Sequence, residues 1–259
     1  MSERRAGSML AVMDGRLYVC GGFNGQAETQ SVECFSPVAG TWEAMPPMLE
    51  RRAGASAAAV AGYVYVLGGN DGSQVLSSAE RFRPGDWEAS WQQLPAMTAR
   101  RESAVVAVEA GFLYMCGGRG GRQGTLSLSS AERLGCTADS CAAWEALPPM
   151  SQKRAGAVGA GLHGRIYMVG GSDGRHTLDS AEAFVVETTS WEALPAMSQR
   201  RADATIARFA GHLYVFGGSD GKQQLSSAER FQTAGDQAWD PLSPMSQPRA
   251  TAAAAVLAG

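Results

Sequence analysis

One unit occurs five times along the chain, and that fixed period constrains the fold more than any local pattern. Gly-Gly pairs begin at Gly21, Gly68, Gly117, Gly170 and Gly217. A short apolar run precedes each of them: Leu17-Tyr18-Val19, Val64-Tyr65-Val66, Leu113-Tyr114-Met115, Ile166-Tyr167-Met168 and Leu213-Tyr214-Val215. Ahead of each run a glycine turn, such as Asp14-Gly15 or His163-Gly164, separates two apolar stretches, which signals a tight hairpin. A polar loop follows each Gly-Gly, then a third strand of the type Ser78-Ala79-Glu80-Arg81-Phe82. A Trp opens the fourth strand, as in Trp191-Glu192-Ala193-Leu194-Pro195.

The spacings separate strands from loops. From Arg5, Arg52, Arg101, Arg154 and Arg201 to the first Gly of each pair is always 16 positions. From Trp42, Trp91, Trp144, Trp191 and Trp239 to the next of these arginines, ending at Arg249, is always 10. Length varies only in the loop after Gly-Gly and in the loop before Trp. Strand pairing tolerates no slip of register while surface loops accept insertions cheaply, so the constant segments are the strands. The third repeat carries the largest insertions, at 120–128 and 135–143.

Four short strands per unit, punctuated by Gly-Gly and Trp, resemble the Kelch repeat of β-propellers over essentially the whole chain. The resemblance implies an all-β propeller of four-stranded antiparallel blades. The WD40 propeller fits less well, since Trp239-Asp240 is the only Trp-Asp pair. The chain reads as one domain, 1–259, with repeats near 1–48, 49–97, 98–150, 151–197 and 198–245, and a partial sixth at 246–259. Met1-Ser-Glu-Arg-Arg-Ala aligns with Met197-Ser-Gln-Arg-Arg-Ala, and 249–259 reads as the first strand of a sixth unit. Both boundaries therefore read as cuts inside a longer array. Because six blades are usual in Kelch proteins, an incomplete six-bladed ring is favoured over a closed five-bladed one.

With strands named A to D in each blade, the D-to-A and B-to-C loops share one face of the disc and the A-to-B and C-to-D turns the other. Small-residue A strands, such as Gly54 to Val60, suit the crowded inner ring, and the Trp and Tyr of each unit suit the space between blades.

Little in the chain points to catalysis. Of the three histidines, His163 and His212 fall in A-to-B turns of different blades and His176 in a B-to-C loop on the opposite face, so they cannot share a metal. Gly217-Gly-Ser-Asp-Gly-Lys222 lacks the spacing of a phosphate-binding loop and no helix follows it. No catalytic residue, metal or cofactor is expected, and no small-molecule substrate. The alternative is a carbohydrate-active or copper-dependent propeller enzyme of the galactose oxidase type, which requires His and Tyr ligands gathered on one face. Net charge is -3, there is no apolar run long enough for a membrane helix, and the arginines lack interleaved aromatics apart from Phe23. Neither a membrane nor a nucleic acid is the expected partner. Five cysteines that do not recur in every repeat argue against a disulfide framework and for a reducing cytoplasmic or nuclear compartment.

The basic residues point to a protein partner. The D-to-A and B-to-C segments hold 15 of the 22 basic residues and eight acids, so a weakly acidic chain presents an excess of seven positive charges on one face. The repeated arginine allows two readings: it pairs with the third-strand glutamate of its unit (Glu33, Glu80, Glu132, Glu182, Glu229), or it attracts a partner. By resemblance to Kelch propellers, partner contacts fall on the residue after each Gly-Gly, here Phe23, Asn70, Arg119, Ser172 and Ser219. They fall also on the D-to-A arginines Arg5, Arg52, Arg101, Arg154, Arg201 and Arg249. Arg122, Arg175, His176 and Lys222 in the same loops complete the candidate site for a protein or acidic peptide. The resemblance further implies a substrate-recruiting arm of a cullin-based ubiquitin ligase, where such propellers follow BTB and BACK domains, or an actin-binding or scaffold protein.

Overall fold

A computed structural model describes residues 1–85, 90–137, 140–235, 237–252 and 254. Every regular element among them is a β-strand, and the strands form five four-stranded antiparallel blades. Blade 1 comprises β1 (Met9–Met13), β2 (Arg16–Cys20), β3 (Val32–Ser36) and β4 (Thr41–Met45). Blade 2 comprises β5 (Ser56–Val60), β6 (Tyr63–Leu67), β7 (Ala79–Phe82) and β8 (Gln92–Leu94). Blade 3 is β9 (Val105–Glu109), β10 (Phe112–Cys116), β13 (Ala131–Gly135) and β14 (Glu145–Leu147), with its inserted loop folded into β11 (Arg119–Gly120) and β12 (Leu126–Ser127). Blade 4 holds β15 (Val158–Leu162), β16 (Arg165–Val169), β17 (Ala181–Val185) and β18 (Ser190–Leu194). Blade 5 holds β19 (Thr205–Phe209), β20 (His212–Phe216), β21 (Ala228–Gln232) and β22 (Trp239–Leu242). Each blade is a simple meander, so register follows from its hairpins: Tyr18 faces Ala11 and Cys34, and Tyr167 faces Ala160 and Ala183.

The blades are joined in two places. At the axis, one residue ahead of each first strand sits in the left-handed region: Gly7, Gly54, Ser103, Gly156, Asp203 and Thr251, with φ between +50° and +61°. Their backbones form a ladder from blade to blade: Gly54 N–H donates to Gly7 O, Ser103 to Gly54, Gly156 to Ser103, Asp203 to Gly156 and Thr251 to Asp203, at 2.7–2.9 Å. The ladder thus has six places, of which Thr251 holds the last, and among the described residues no bond returns from it to Gly7. The expected sixth first strand lies partly outside the described residues, and Thr251, Ala252 and Ala254 are not in a strand. The described residues thus form five blades, and Thr251 extends the ladder one place beyond the fifth.

Small side chains let the first strands converge. A Cβ on Gly161 would overlap the carbonyl oxygen of Val108 in the neighbouring blade, and one on Gly159 would press on Val105. The strands surround an axial channel lined by residues such as Val12, Ala59, Val108, Ala160 and Ala207, with one lobe of about 470 Å³.

At the periphery the Trp at the fourth strand of blades 2 to 5 clasps the blade before it. The indole N–H of Trp91 donates to Pro46 O, Trp144 to Pro95 O, Trp191 to Pro148 O and Trp239 to Pro195 O, at 2.8–2.9 Å. The rings of Trp91, Trp191 and Trp239 pack on third-strand Phe residues, with Phe82–Trp91 stacked at 5.4 Å and Phe231–Trp239 at 5.0 Å. Burial of a large apolar ring whose one polar atom is satisfied is the favourable arrangement for Trp. Among the described residues no blade precedes Trp42, which is 36% exposed against 5% for Trp91. Trp91→Ala should therefore cost about 3–5 kcal/mol, the range for emptying an aromatic from a core, and Trp42→Ala distinctly less. Urea denaturation of the two variants measures the difference, and equal losses would contradict the inter-blade role.

Candidate functional site

The site is the face built from the B-to-C loops and the D-to-A crossings. Its base is laid by the residue after each Gly-Gly, which forms an antiparallel bridge with a residue of the D-to-A crossing: Phe23 with Ala6, Asn70 with Ala53, Arg119 with Glu102, Ser172 with Ala155 and Ser219 with Ala202. Paired N–H···O bonds of 2.7–3.0 Å hold each bridge. These five positions therefore stand as a ring on rigid backbone. The Gly-Gly pairs make this approach feasible. A Cβ on Gly68 would overlap the carbonyl oxygen of Arg101, and the next N–H, that of Gly69, donates to this oxygen at 2.8 Å.

Above the ring the loop tips are capped by their own side chains. Asn24 Oδ1 accepts from the N–H groups of Gln26 and Ala27, Asp71 from Ser73 and Gln74, Asp173 from Arg175 and His176, and Asp220 from Lys222 and Gln223. Such Asx turns fix a loop without secondary structure. The donated N–H groups of His176 and Arg175 hold the Asp173 carboxyl below its usual range, and those of Gln223 and Lys222 do the same for Asp220. Arg175, His176 and Lys222 are consequently exposed on ordered tips. The blade 3 insertion docks sideways, with Val75 N–H donating to Arg122 O at 2.9 Å, and carries Arg119, Arg122 and an exposed Leu126.

The repeated arginines take the other of their two readings, and five of the six expected contact arginines leave the candidate site. Arg5, Arg52, Arg101, Arg154 and Arg201 have side chains no more than 1% exposed, each beside its third-strand glutamate. For Arg101, Nε donates to Glu132 Oε1 at 2.9 Å, and Nη1 to the carbonyls of Gly117 at 2.8 Å and Ser130 at 3.0 Å. The other glutamate oxygen accepts the N–H of Thr98 at the crossing from the preceding blade, as Glu80 does from Leu49. A guanidinium so enclosed offers no charge to a partner. Arg249 alone remains exposed, and its backbone oxygen still accepts from Gly218 N–H like its counterparts. Asn70, Ser172 and Ser219 are also partly committed, since their side-chain oxygens accept the N–H groups of Gly72, Gly174 and Gly221.

Removing those five neutralised arginines changes the charge of the face. Asp179 joins it, facing Arg200 at 4.0 Å. Around blades 1 and 2 two basic residues, Arg4 and Arg51, meet four acids, Glu3, Glu28, Glu50 and Asp71. Around blades 3 to 5 eight basic residues, Arg100, Arg119, Arg122, Lys153, Arg175, Arg200, Lys222 and Arg249, meet five acids, Glu102, Asp173, Asp179, Asp203 and Asp220. The face is thus polarised rather than uniformly basic. Burial raises the carboxyl of Asp203 at the channel mouth, and the charge of Arg119 opposes that shift. The sequence counted Asp203 among the acids of this face without its place in the ladder, and it missed Leu126 and the Asx caps, which were legible in Asn24-Gly25, Asp71-Gly72, Asp173-Gly174 and Asp220-Gly221.

Cysteine chemistry departs from expectation at one place: Cys136 and Cys141 form a disulfide, while Cys20, Cys34 and Cys116 are buried thiols. Among the described residues no group of three His, Cys, Asp or Glu side chains converges as a metal site requires.

A family model described as Kelch motif matches residues 4–49, 51–98, 153–198 and 200–246. The longest unmatched stretch, 99–152, is blade 3 with its two insertions, although its four strands pair as in the other blades. No curated protein matches the chain. Among solved structures, one described as "Structure of YjhT" superposes with a TM-score of 0.78 at 16% identity, covering 92% of this chain and 84% of that one. At this identity the likeness shows the fold.

The buried pairs carry a stability prediction. Glu132→Gln should cost about 3–5 kcal/mol, because it leaves Arg101 buried without its counter-charge. The double variant Arg101→Met/Glu132→Leu should recover part of that loss. Urea midpoints test both, and a Glu132→Gln midpoint equal to that of the parent would contradict the structural role.

Proposed function

The chain belongs to the Kelch motif family, and on that premise we propose that its loop face docks a protein partner through an acidic segment lying over blades 3 to 5. Kelch propellers serve generally as protein-interaction modules. What supports the finer reading is the arc of exposed basic side chains on three adjacent blades: Arg119 and Arg122 on the β11–β12 hairpin, and Arg175 and Lys222 on loops capped by Asp173 and Asp220. Loops fixed in advance lose little conformational freedom on binding, so charge attraction is not spent on ordering them. The acidic edge at blades 1 and 2 sets orientation, because an acidic segment reversed on the face would meet Glu28, Glu50 and Asp71. Phe23, 39% exposed, and Leu126, 59% exposed, provide apolar contact at either end of the face. A substrate-recruiting arm of a ubiquitin ligase and an actin-binding or scaffold protein, in cytoplasm or nucleus, would each use this face in the same way.

The test is capture of a labelled Asp/Glu-rich peptide, followed by fluorescence anisotropy at two salt concentrations. The triple reversal Arg122→Glu/Arg175→Glu/Lys222→Glu should lower the on-rate about 10- to 100-fold at low salt, with a smaller effect at high salt. Arg165→Glu on the opposite face, where Arg165 pairs with Glu192 at 2.6 Å, should leave capture unchanged. Capture that survives the triple reversal and fails with Arg165→Glu would place the site on the wrong face.

A further inference from the structure

The opposite face carries a second feature, at the seam between blades 2 and 3. Cys136 and Cys141 are bonded across a hairpin in the inserted C-to-D loop, with Cα atoms 4.2 Å apart. The hairpin holds itself without the bond: Thr137 N–H donates to Ser140 O at 2.8 Å and Ala142 N–H to Gly135 O at 2.9 Å. A disulfide joining residues five apart also restrains the unfolded chain far less than one joining distant strands. Its contribution to holding the fold is therefore small.

Its surroundings suit chemistry. Both cysteines line a cleft of about 500 Å³ together with Ala110, Phe112, Thr137 and Ala142. From blade 2, Arg81 places Nη1 3.7 Å from Cys141 Sγ and donates to Thr137 O at 3.2 Å. The Tyr65 hydroxyl lies 3.8 Å from the same sulfur. A guanidinium beside a sulfur stabilises its thiolate, and a more stable thiolate leaves faster in exchange. Cys136 is 8% exposed but borders the cleft, whereas the other three cysteines are buried away from it, and burial pushes the thiols of Cys20 and Cys116 up to about 12.

We propose that the Cys136–Cys141 bond is a thiol–disulfide exchange site that admits a small aliphatic thiol through this cleft and releases Cys141 as a thiolate beside Arg81. The incoming thiolate forms a bond to Cys136 Sγ. The Cys136–Cys141 bond breaks, and its electron pair leaves on Cys141 Sγ. A second thiolate attacks the mixed disulfide at the small molecule's sulfur, which frees Cys136 and yields the oxidised dimer of the small thiol. Two thiols are oxidised to one disulfide while one protein disulfide is reduced to two thiols, so the electrons balance. Arg81 positions charge at the leaving sulfur.

The experiment uses the full chain purified without reductant, with glutathione as the probe. Thiol titration of the unfolded chain should find three thiols, and five would overturn the proposal. Brief exposure to glutathione followed by alkylation and peptide mass spectrometry should find glutathione on Cys136 and the alkyl group on Cys141. The reverse pattern, or earlier reaction at Cys20, Cys34 or Cys116, would overturn the assignment. Arg81→Met should slow exchange about 10-fold, with Arg81→Lys close to the parent. In Cys136→Ser, which leaves Arg81 in place, the ultraviolet absorbance of the Cys141 thiolate should appear clearly below the ordinary thiol range. Titration at or above that range would overturn the role of Arg81 even if Arg81→Met failed to fold.

Discussion

The interaction on which the rest of this propeller depends is the buried pairing of a guanidinium from the interblade crossing with a third-strand carboxylate. Each such arginine serves three partners at once: the glutamate, the carbonyl that ends the second strand, and a serine carbonyl at the entry of the third. The backbone oxygens of Arg52, Arg101, Arg154 and Arg201 each accept an N–H from the Gly-Gly of the preceding blade. One residue thus ties a crossing to the blade it enters and to the blade it leaves. Burying two charges carries a large desolvation penalty, so the arrangement persists only because nearly every donor and lone pair in it is satisfied.

From that pin follow the Gly-Gly pairs, the bridges and the loop face. The arginine carbonyl lies where a Cβ on the first glycine would be, so the pair must be glycine. The tight approach then brings the next residue into register with the crossing and fixes the ring of Phe23, Asn70, Arg119, Ser172 and Ser219. The Trp clasps close the outer edge and the left-handed ladder the inner one. The same units that hold the blades together therefore set the platform on which variable side chains stand. In a propeller of this kind, recognition rests with what the loops add to a repeated frame, here the basic arc on blades 3 to 5.

Much of the frame was legible because strand register leaves constant intervals. The distance of 16 from arginine to Gly-Gly is the length of the first hairpin, and the hydrogen bond from Arg154 Nη1 to Gly170 O closes that interval. The third-strand glutamate was visible as the arginine's partner, but spacing could not say whether the arginine turned inward to it or outward to a ligand. Both choices place the Cα at the same point, and only side-chain burial separates them. The face charge was overestimated for the same reason, since five glutamates on the strands cancel five arginines in the loops. The Cys136–Cys141 pairing was obscured because it belongs to an insertion, where no repeat supplies a comparison. The ladder position of Asp203 was hidden differently: it needs a left-handed backbone, which glycine fills in three repeats, and nothing local marks an aspartate for it.

The account stands on the claim that the invariant arginines are internal fasteners. Exchange of arginine Nε–H protons with solvent, followed by nuclear magnetic resonance on the native chain, reports on this directly. The Nε–H groups of Arg5, Arg52, Arg101, Arg154 and Arg201 should exchange far more slowly than those of Arg122, Arg175 and Arg249, because each is buried and donates to a glutamate. Five Nε–H signals exchanging as fast as those of the exposed loop arginines would contradict it.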